Sequence, residues 1–285
     1  MVAARAEKVV ALAVLAGALA FGAPREARAA DDDDEDDSGM RAPTVFFGGR
    51  LTTTNVRTGK DDVSSYGALF VTSASFHGTR GRYGSLRGSF IGAIGSGTAT
   101  VEGWLRGALT LGLRVPLGDP WSGFVRAGFG GELQGNGNYF FSRLELPITE
   151  VGVQLREGER LLELGARGAP VLAGRYHVEG ARPRDLGVSP EYGAYFSART
   201  PLLRSEISAM LIDKRDDAYA RPVQVVRALV CGFGVVGALL VCGDGEVFRV
   251  PNGGATAPEL GGTRVFYLGL TFGYGETFRP AGADE

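Results

Sequence analysis

Eight charged residues carry most of the chemistry on offer. Arg87, Arg106, Arg126 and Arg143, and against them Glu102, Glu132, Glu145 and Glu163, fall inside segments whose other residues are largely small or apolar. A charge in such surroundings is costly unless water or an opposite charge meets it. Two outcomes follow. Either the two sets pair with each other and fill the space between them, or they border water and sort ions by sign.

Arrangements for bond-making chemistry are sparse, because the chain has two histidines in all. His77 follows Ser73 and Ser75, but alternate residues of a strand stand about 6–7 Å apart, too far for a direct hydrogen bond. Ser85, from the next segment, is the serine placed to approach it. His177 has Glu179 two residues on and no serine partner. Both histidines read as polar residues near loop ends, and the expectation is that the protein is not an enzyme. Two histidines and two distant cysteines do not make the ligand spacing of a closed zinc site. The glycines of residues 128–137 precede no helix that would receive a phosphate. No metal or other cofactor is called for.

The elements that hold these charges read as strands. Over residues 98–115, Val101, Leu105, Leu109, Leu111, Leu113 and Val115 occupy one parity with glycine and alanine. Glu102, Arg106 and Arg114 occupy the other, with Trp104 and three threonines. A helix would scramble the two sets, and each interior glycine would cost it about 1 kcal/mol; period two means a strand. The same alternation marks 44–54, 65–76, 83–94, 122–133, 150–156, 162–167, 191–199, 203–212 and 266–274. Turn-forming clusters separate them at 57–62, 78–82, 116–120, 135–138, 157–159 and 213–217. No stretch of the body shows comparable helical periodicity. The fold class is therefore all-β and antiparallel. Trp104, Trp121, Tyr139 and Tyr267 lie near strand ends, where they would form interfacial girdles or simply pack across strands.

Residues 225–242 form the most apolar part of the body and alternate poorly. A hairpin turning at 236–237 sets Cys231 opposite Cys242, and directly opposed strand residues meet the separation a disulfide needs. In an oxidising compartment these two would close a bridge; two unpaired apolar thiols or an intermolecular bond are the alternatives.

The front of the chain explains why such a compartment is expected. Arg5 and Lys8 precede thirteen uncharged residues, 9–21, and Ala27 and Ala29 flank Arg28 as a cleavage site. That is the layout of a secretory signal peptide, residues 1–29. Thirteen helical residues rise only about 20 Å, short of a roughly 30 Å hydrocarbon core. The leader at 30–43 contains the run Asp31, Asp32, Asp33, Asp34, Glu35, Asp36 and Asp37. Self-repulsion keeps such a block extended, and nothing shapes it into a calcium loop. Beyond the signal and the run, the body carries a net charge of +3, too little for a nucleic-acid footprint.

The last strand carries a resemblance. Phe266, Leu268, Leu270, Phe272, Tyr274 and Phe278 alternate in an apolar and aromatic register, interrupted at Glu276. With the signal peptide and the glycine-rich alternating strands, this resembles Gram-negative outer-membrane β-barrel proteins. The resemblance implies a transmembrane barrel over 44–278 with a short tail at 279–285. It also implies placement in outer-membrane lipid and recognition of the final strand by the barrel-assembly machinery. In hydrocarbon every backbone polar group must be paired, which closed barrels achieve. About 235 residues at roughly 20–25 per strand and connection give ten to twelve strands. The eight charged residues then line the interior. They border a narrow, porin-like pore for small solutes with weak anion preference, or they plug a structural or surface-interaction barrel. A soluble secreted β-sandwich is the third reading.

Overall fold

Strands dominate the structure, as the alternation requires. The computed structural model describes residues 40–58, 61–78, 84–98, 101–136, 139–158, 160–178, 184–185, 188–200, 202–213, 221–233, 239–255, 258 and 261–277. The expected signal segment, the acidic run and the C-terminal tail lie outside them. In chain order the elements are β1 (Met40–Thr58), β2 (Asp61–Gly78), β3 (Gly84–Gly97), β4 (Val101–Gly118), β5 (Trp121–Gly135) and β6 (Tyr139–Glu157). They continue with β7 (Arg160–Val178), the two-residue β8 (Arg184–Asp185), β9 (Ser189–Arg199), β10 (Leu203–Ile212), β11 (Val223–Phe233), β12 (Leu239–Arg249) and β13 (Arg264–Thr277).

Each long strand pairs antiparallel with its sequence neighbours, and β1 pairs with β13 from Thr44 opposite Thr277 to Arg57 opposite Arg264. This pairing closes the sheet on itself, giving a barrel of twelve strands with β8 as a short addition beside β7. Closure leaves no long sheet edge, so the backbone groups of the strands are met within the protein. A sandwich of two sheets is excluded for the described residues, because one continuous sheet accounts for every strand among them.

The two faces of the wall differ as the alternation demands. Along β4, Val101, Leu105, Leu111, Leu113 and Val115 point outward and are exposed, whereas Glu102, Trp104 and Thr110 are buried inside. Phe47, Leu51, Phe70, Phe90, Ile94, Phe129, Leu164, Leu270 and Phe272 extend the outer apolar surface around the barrel. An apolar belt of this extent has lipid as its natural solvent.

Several expectations are corrected here. Segments 150–156 and 162–167 are only the adjoining ends of β6 and β7, which run on for 19 residues each. Within β6 the inward parity switches: Tyr139, Phe141, Arg143 and Glu145 are buried, then Ile148, Glu150 and Gln154. Register shifts against β7 between Leu144 and Thr149 mark the bulge around Pro147 that makes the switch, and one extra residue there flips every later side chain. Of the four aromatic residues read either as girdles or as cross-strand packing, three face inward, which selects packing for them. Trp104, Tyr139 and Tyr267 are buried in the interior, and only Trp121 is exposed on the outside.

The two ends of the barrel are unlike. At the end that carries Met40 and Thr277, β4 and β5 are joined through residues 119–120 and β6 and β7 through 158–159. The opposite end carries the longer connections 179–188, 213–222 and 250–263. There Val56, Tyr139, Phe141, Met210, Ile212, Val223, Val225, Phe248, Val250 and Val265 form one buried apolar cluster across the lumen.

Candidate functional site: the charged lumen

All eight charged residues singled out from the sequence lie on the lumen side of the wall. Six of them meet in one network. Arg126 reaches Glu163 at 2.9 Å and Glu150 at 3.1 Å, and donates to the Tyr195 hydroxyl at 2.6 Å. Arg143 lies between Glu145 at 2.9 Å and Glu132 at 3.1 Å, and also holds Glu191. Arg87 lies 3.0 Å from Glu206 and stacks over the Tyr195 ring at 4.6 Å. Burial of charges in this manner requires opposite charge close by, and Arg126, at 0% exposed, has both Glu150 and Glu163 within 3.1 Å.

The other two stand apart. Glu102 is buried beside Thr52 and Gly67, on the Arg50 side of the lumen. Arg106 sits directly opposite Glu132 in the β4–β5 register, yet Glu132 is engaged by Arg143 and Arg227. Among the described residues, no carboxylate lies within 4.0 Å of the Arg106 guanidinium.

The structure adds participants that the sequence reading did not select as a site. Arg50 donates to Asp244 at 2.6 Å, to the Tyr267 hydroxyl at 2.8 Å and to the Thr271 hydroxyl at 3.1 Å, with Trp104 beneath it at 4.6 Å. Arg227 bonds Glu246 at 2.6 Å, and Arg167 pairs with Glu145. The signal for these was parity: Arg50 shares its face of the strand with Thr52 and Thr54, as Asp244 does with Cys242 and Glu246. Continuing each strand's inward set would have found them.

Cys231 and Cys242 are opposed in the β11–β12 register and joined by a disulfide. The bridge lies on the inner face, packed with Phe46, Val71, Trp104 and Leu240; the turn at 236–237 lies outside the described residues. The His77 backbone pairs with Arg41 and Arg87, and its imidazole is not among the described side chains. Ser85 is buried, and the His177 ring is partly buried. No group of three His, Cys, Asp or Glu side chains suited to a metal ion occurs among the described residues.

Space inside the barrel is divided. A cavity of about 110 Å³ lies between the disulfide and the β3–β4 wall, and two smaller ones of about 30 and 20 Å³ lie among the ion pairs. Arg106 is in the wall of all three.

Fold, belt and charged interior together define an antiparallel transmembrane β-barrel of twelve strands. No protein-family model matches the sequence, and no curated protein matches it. Among solved structures, it is similar to an outer membrane channel from Pseudomonas putida F1, with 12% identity over 87% of this chain and 100% of that one and a TM-score of 0.40. It is similar also to the outer membrane channel DcaP of Acinetobacter baumannii, at 12% identity over 82% and 97% of the two chains, TM-score 0.37. An outer membrane phospholipase from Salmonella typhi matches at 13% identity over 81% and 91%, TM-score 0.39. The assignment of fold stands on the strand pairing itself.

Proposed function

We propose that the protein is exported by its N-terminal signal, inserted in outer-membrane lipid with the aid of the barrel-assembly machinery, and acts there as a channel-type barrel. Its passage is narrow and suited to small solutes. The observation that supports this reading is the shared wall of the three cavities: the Arg106 guanidinium and the Glu206 carboxylate border them all, and among the described residues Arg106 has no carboxylate within 4.0 Å. A wide diffusion pore does not fit an interior in which Arg126, Glu145, Glu150 and Glu163 are nearly inaccessible. The reading involves no catalytic step.

A plugged barrel is the second reading, favoured by the apolar cluster that crosses the lumen beneath the long connections. Under it the ion pairs serve stability and the outer connections serve contact. Single-channel recording in a planar bilayer separates the two. Small, steady, ion-selective current is expected from a narrow passage. Absence of current from protein shown to be folded would establish the plugged barrel.

A further inference from the structure

The cavity of about 110 Å³ has walls of two kinds. One is apolar, made by Phe46, Val71, Ile91, Trp104 and the Cys231–Cys242 bridge. The other is charged, and its charges balance except for one. Asp244 holds Arg50 at 2.6 Å, Glu246 holds Arg227 at 2.6 Å, and Glu206 is shared between Arg204 at 3.7 Å and, from outside this wall, Arg87 at 3.0 Å. Arg106 borders the same space with no carboxylate within 4.0 Å among the described residues: its cross-strand neighbour Glu132 turns Oε2 to Arg143 and Arg227 and leaves Oε1 without a hydrogen bond. A half-buried guanidinium beside an apolar wall is a place where a carboxylate gains charge-assisted hydrogen bonds while an attached hydrocarbon leaves water.

We propose that this cavity binds a small monocarboxylate with an apolar body, the carboxylate on Arg106 and the hydrocarbon against the disulfide wall. Size sets the class. An apolar cavity of about 150 Å³ admits benzene; the space here, about 110 Å³, suits a short unbranched acid. The proposal names the solute class for the passage proposed above and rests on that reading for its biological role, whereas binding itself is measured without transport.

The test uses the full chain folded in detergent, with valerate as the probe. The protein has two tryptophans, so Trp121→Phe leaves Trp104, in the cavity wall, as the sole indole reporter. Valerate is expected to change its emission saturably. Acetate, which has the charge without the chain, and pentanol, which has the chain without the charge, should each bind more weakly. Arg106→Gln should weaken valerate binding by roughly ten- to a hundredfold, the worth of hydrogen bonds to a charged group, and Arg106→Lys should restore part of it. Ser73→Phe, which fills the cavity and keeps Arg106, should abolish binding. Heat-dependent gel mobility verifies that each variant is folded. Unchanged affinity in folded Arg106→Gln, or equal responses to valerate, acetate and pentanol, would overturn the proposal. So would the lack of any saturable response in the folded parent. A failure of conductance leaves these results standing, and a failure of binding leaves the conductance result standing.

Discussion

Arg126 and Glu163 meet at 2.9 Å inside the barrel although β6 lies between the strands that carry them. The pair spans the inner surface of the intervening strand, where Glu150 supplies a second carboxylate to Arg126 at 3.1 Å. One guanidinium therefore ties three consecutive strands, and Tyr195 on β9 adds a fourth through its hydroxyl. In a wall stabilised mainly by nearest-neighbour pairing, this fixes the curvature across β5–β9.

The two partners should not be equivalent under mutation. Arg126→Met leaves Glu150 and Glu163 in a buried site with the longer contacts to Arg87, at 3.8 and 3.9 Å, to offset their charge. It should cost about 3–5 kcal/mol, the range for stranding buried charge. Glu163→Gln leaves Arg126 with Glu150 and should cost clearly less. Urea unfolding in micelles, followed by tryptophan emission, measures both. Equal losses would mean that Glu150 contributes nothing to holding Arg126.

Tyr195 keeps its place because Gly165 lies directly opposite it. A Cβ on Gly165 would stand 2.8 Å from the Tyr195 ring, so the ring covers the glycine backbone. Gly165→Val should displace that ring from beneath Arg87 and from its bond to Arg126, costing about 1–3 kcal/mol as an overpacked site does. Tyr195→Phe, which removes only the hydroxyl, should cost less. A crystal structure of the valine variant with the ring unmoved would refute the account.

Much of this was legible in the residues, and the part that was not has physical reasons. Period two assigned the strands and the lumen parity, and it set Cys231 opposite Cys242, because alternation is a local property of the chain. Glycine at Gly165 and arginine at Arg126 were visible as types. That Arg126 meets Glu163 and not its register neighbour alone was not visible, since the contact depends on how the closed sheet curves. Around Pro147 the bulge reverses parity, which places Glu145 and Glu150 on the same side despite odd spacing; from the sequence alone this was unreadable. Trp104 and Tyr267 illustrate a choice that residue type leaves open. Aromatic residues near strand ends suit an interface by type, but these two sit at inward positions and pack against Arg50.

The outer belt makes a directional prediction at β4. Leu109 faces outward beside the exposed Phe129, whereas Thr110 is buried and bonds Glu150 at 3.3 Å. Leu109→Arg should cost about 2–4 kcal/mol, as charges do on a lipid-facing surface near mid-membrane, while Leu109→Phe should be close to neutral. Yield of the heat-modifiable, membrane-embedded form reads the difference. A Leu109→Arg protein that assembles as well as the parent would argue that this surface does not meet lipid.

The disulfide should be helpful and dispensable. Cys231 and Cys242 close a loop of sequence separation 11, for which the chain-entropy model gives roughly 2.5–3 kcal/mol. The paired register of β11 and β12 already holds their backbones together. Replacing both by serine should lower unfolding resistance by no more than that amount and leave the barrel closed. It should also increase access of water to the large cavity, because the bridge forms part of its apolar wall. Loss of folding altogether would mean that the bridge directs assembly of this hairpin and does not merely brace it.

The selectivity prediction turns on the contrast between Arg106 and Arg126, which the sequence presents as alike. Arg126 is sealed among Glu150, Glu163 and Tyr195, so it contributes no charge that a passing ion would meet. Arg106 borders all three cavities without a close carboxylate. If small ions pass, Arg106 is the cation that biases them toward negative charge. Arg106→Ser should therefore shift the reversal potential toward cations under a salt gradient. Arg126→Ser should instead reduce the yield of folded protein, with selectivity little changed in the channels that do form. Channel recordings in which Arg126→Ser moves the reversal potential as far as Arg106→Ser would place the conducting path through the ion-pair network instead of along the Arg106 cavities.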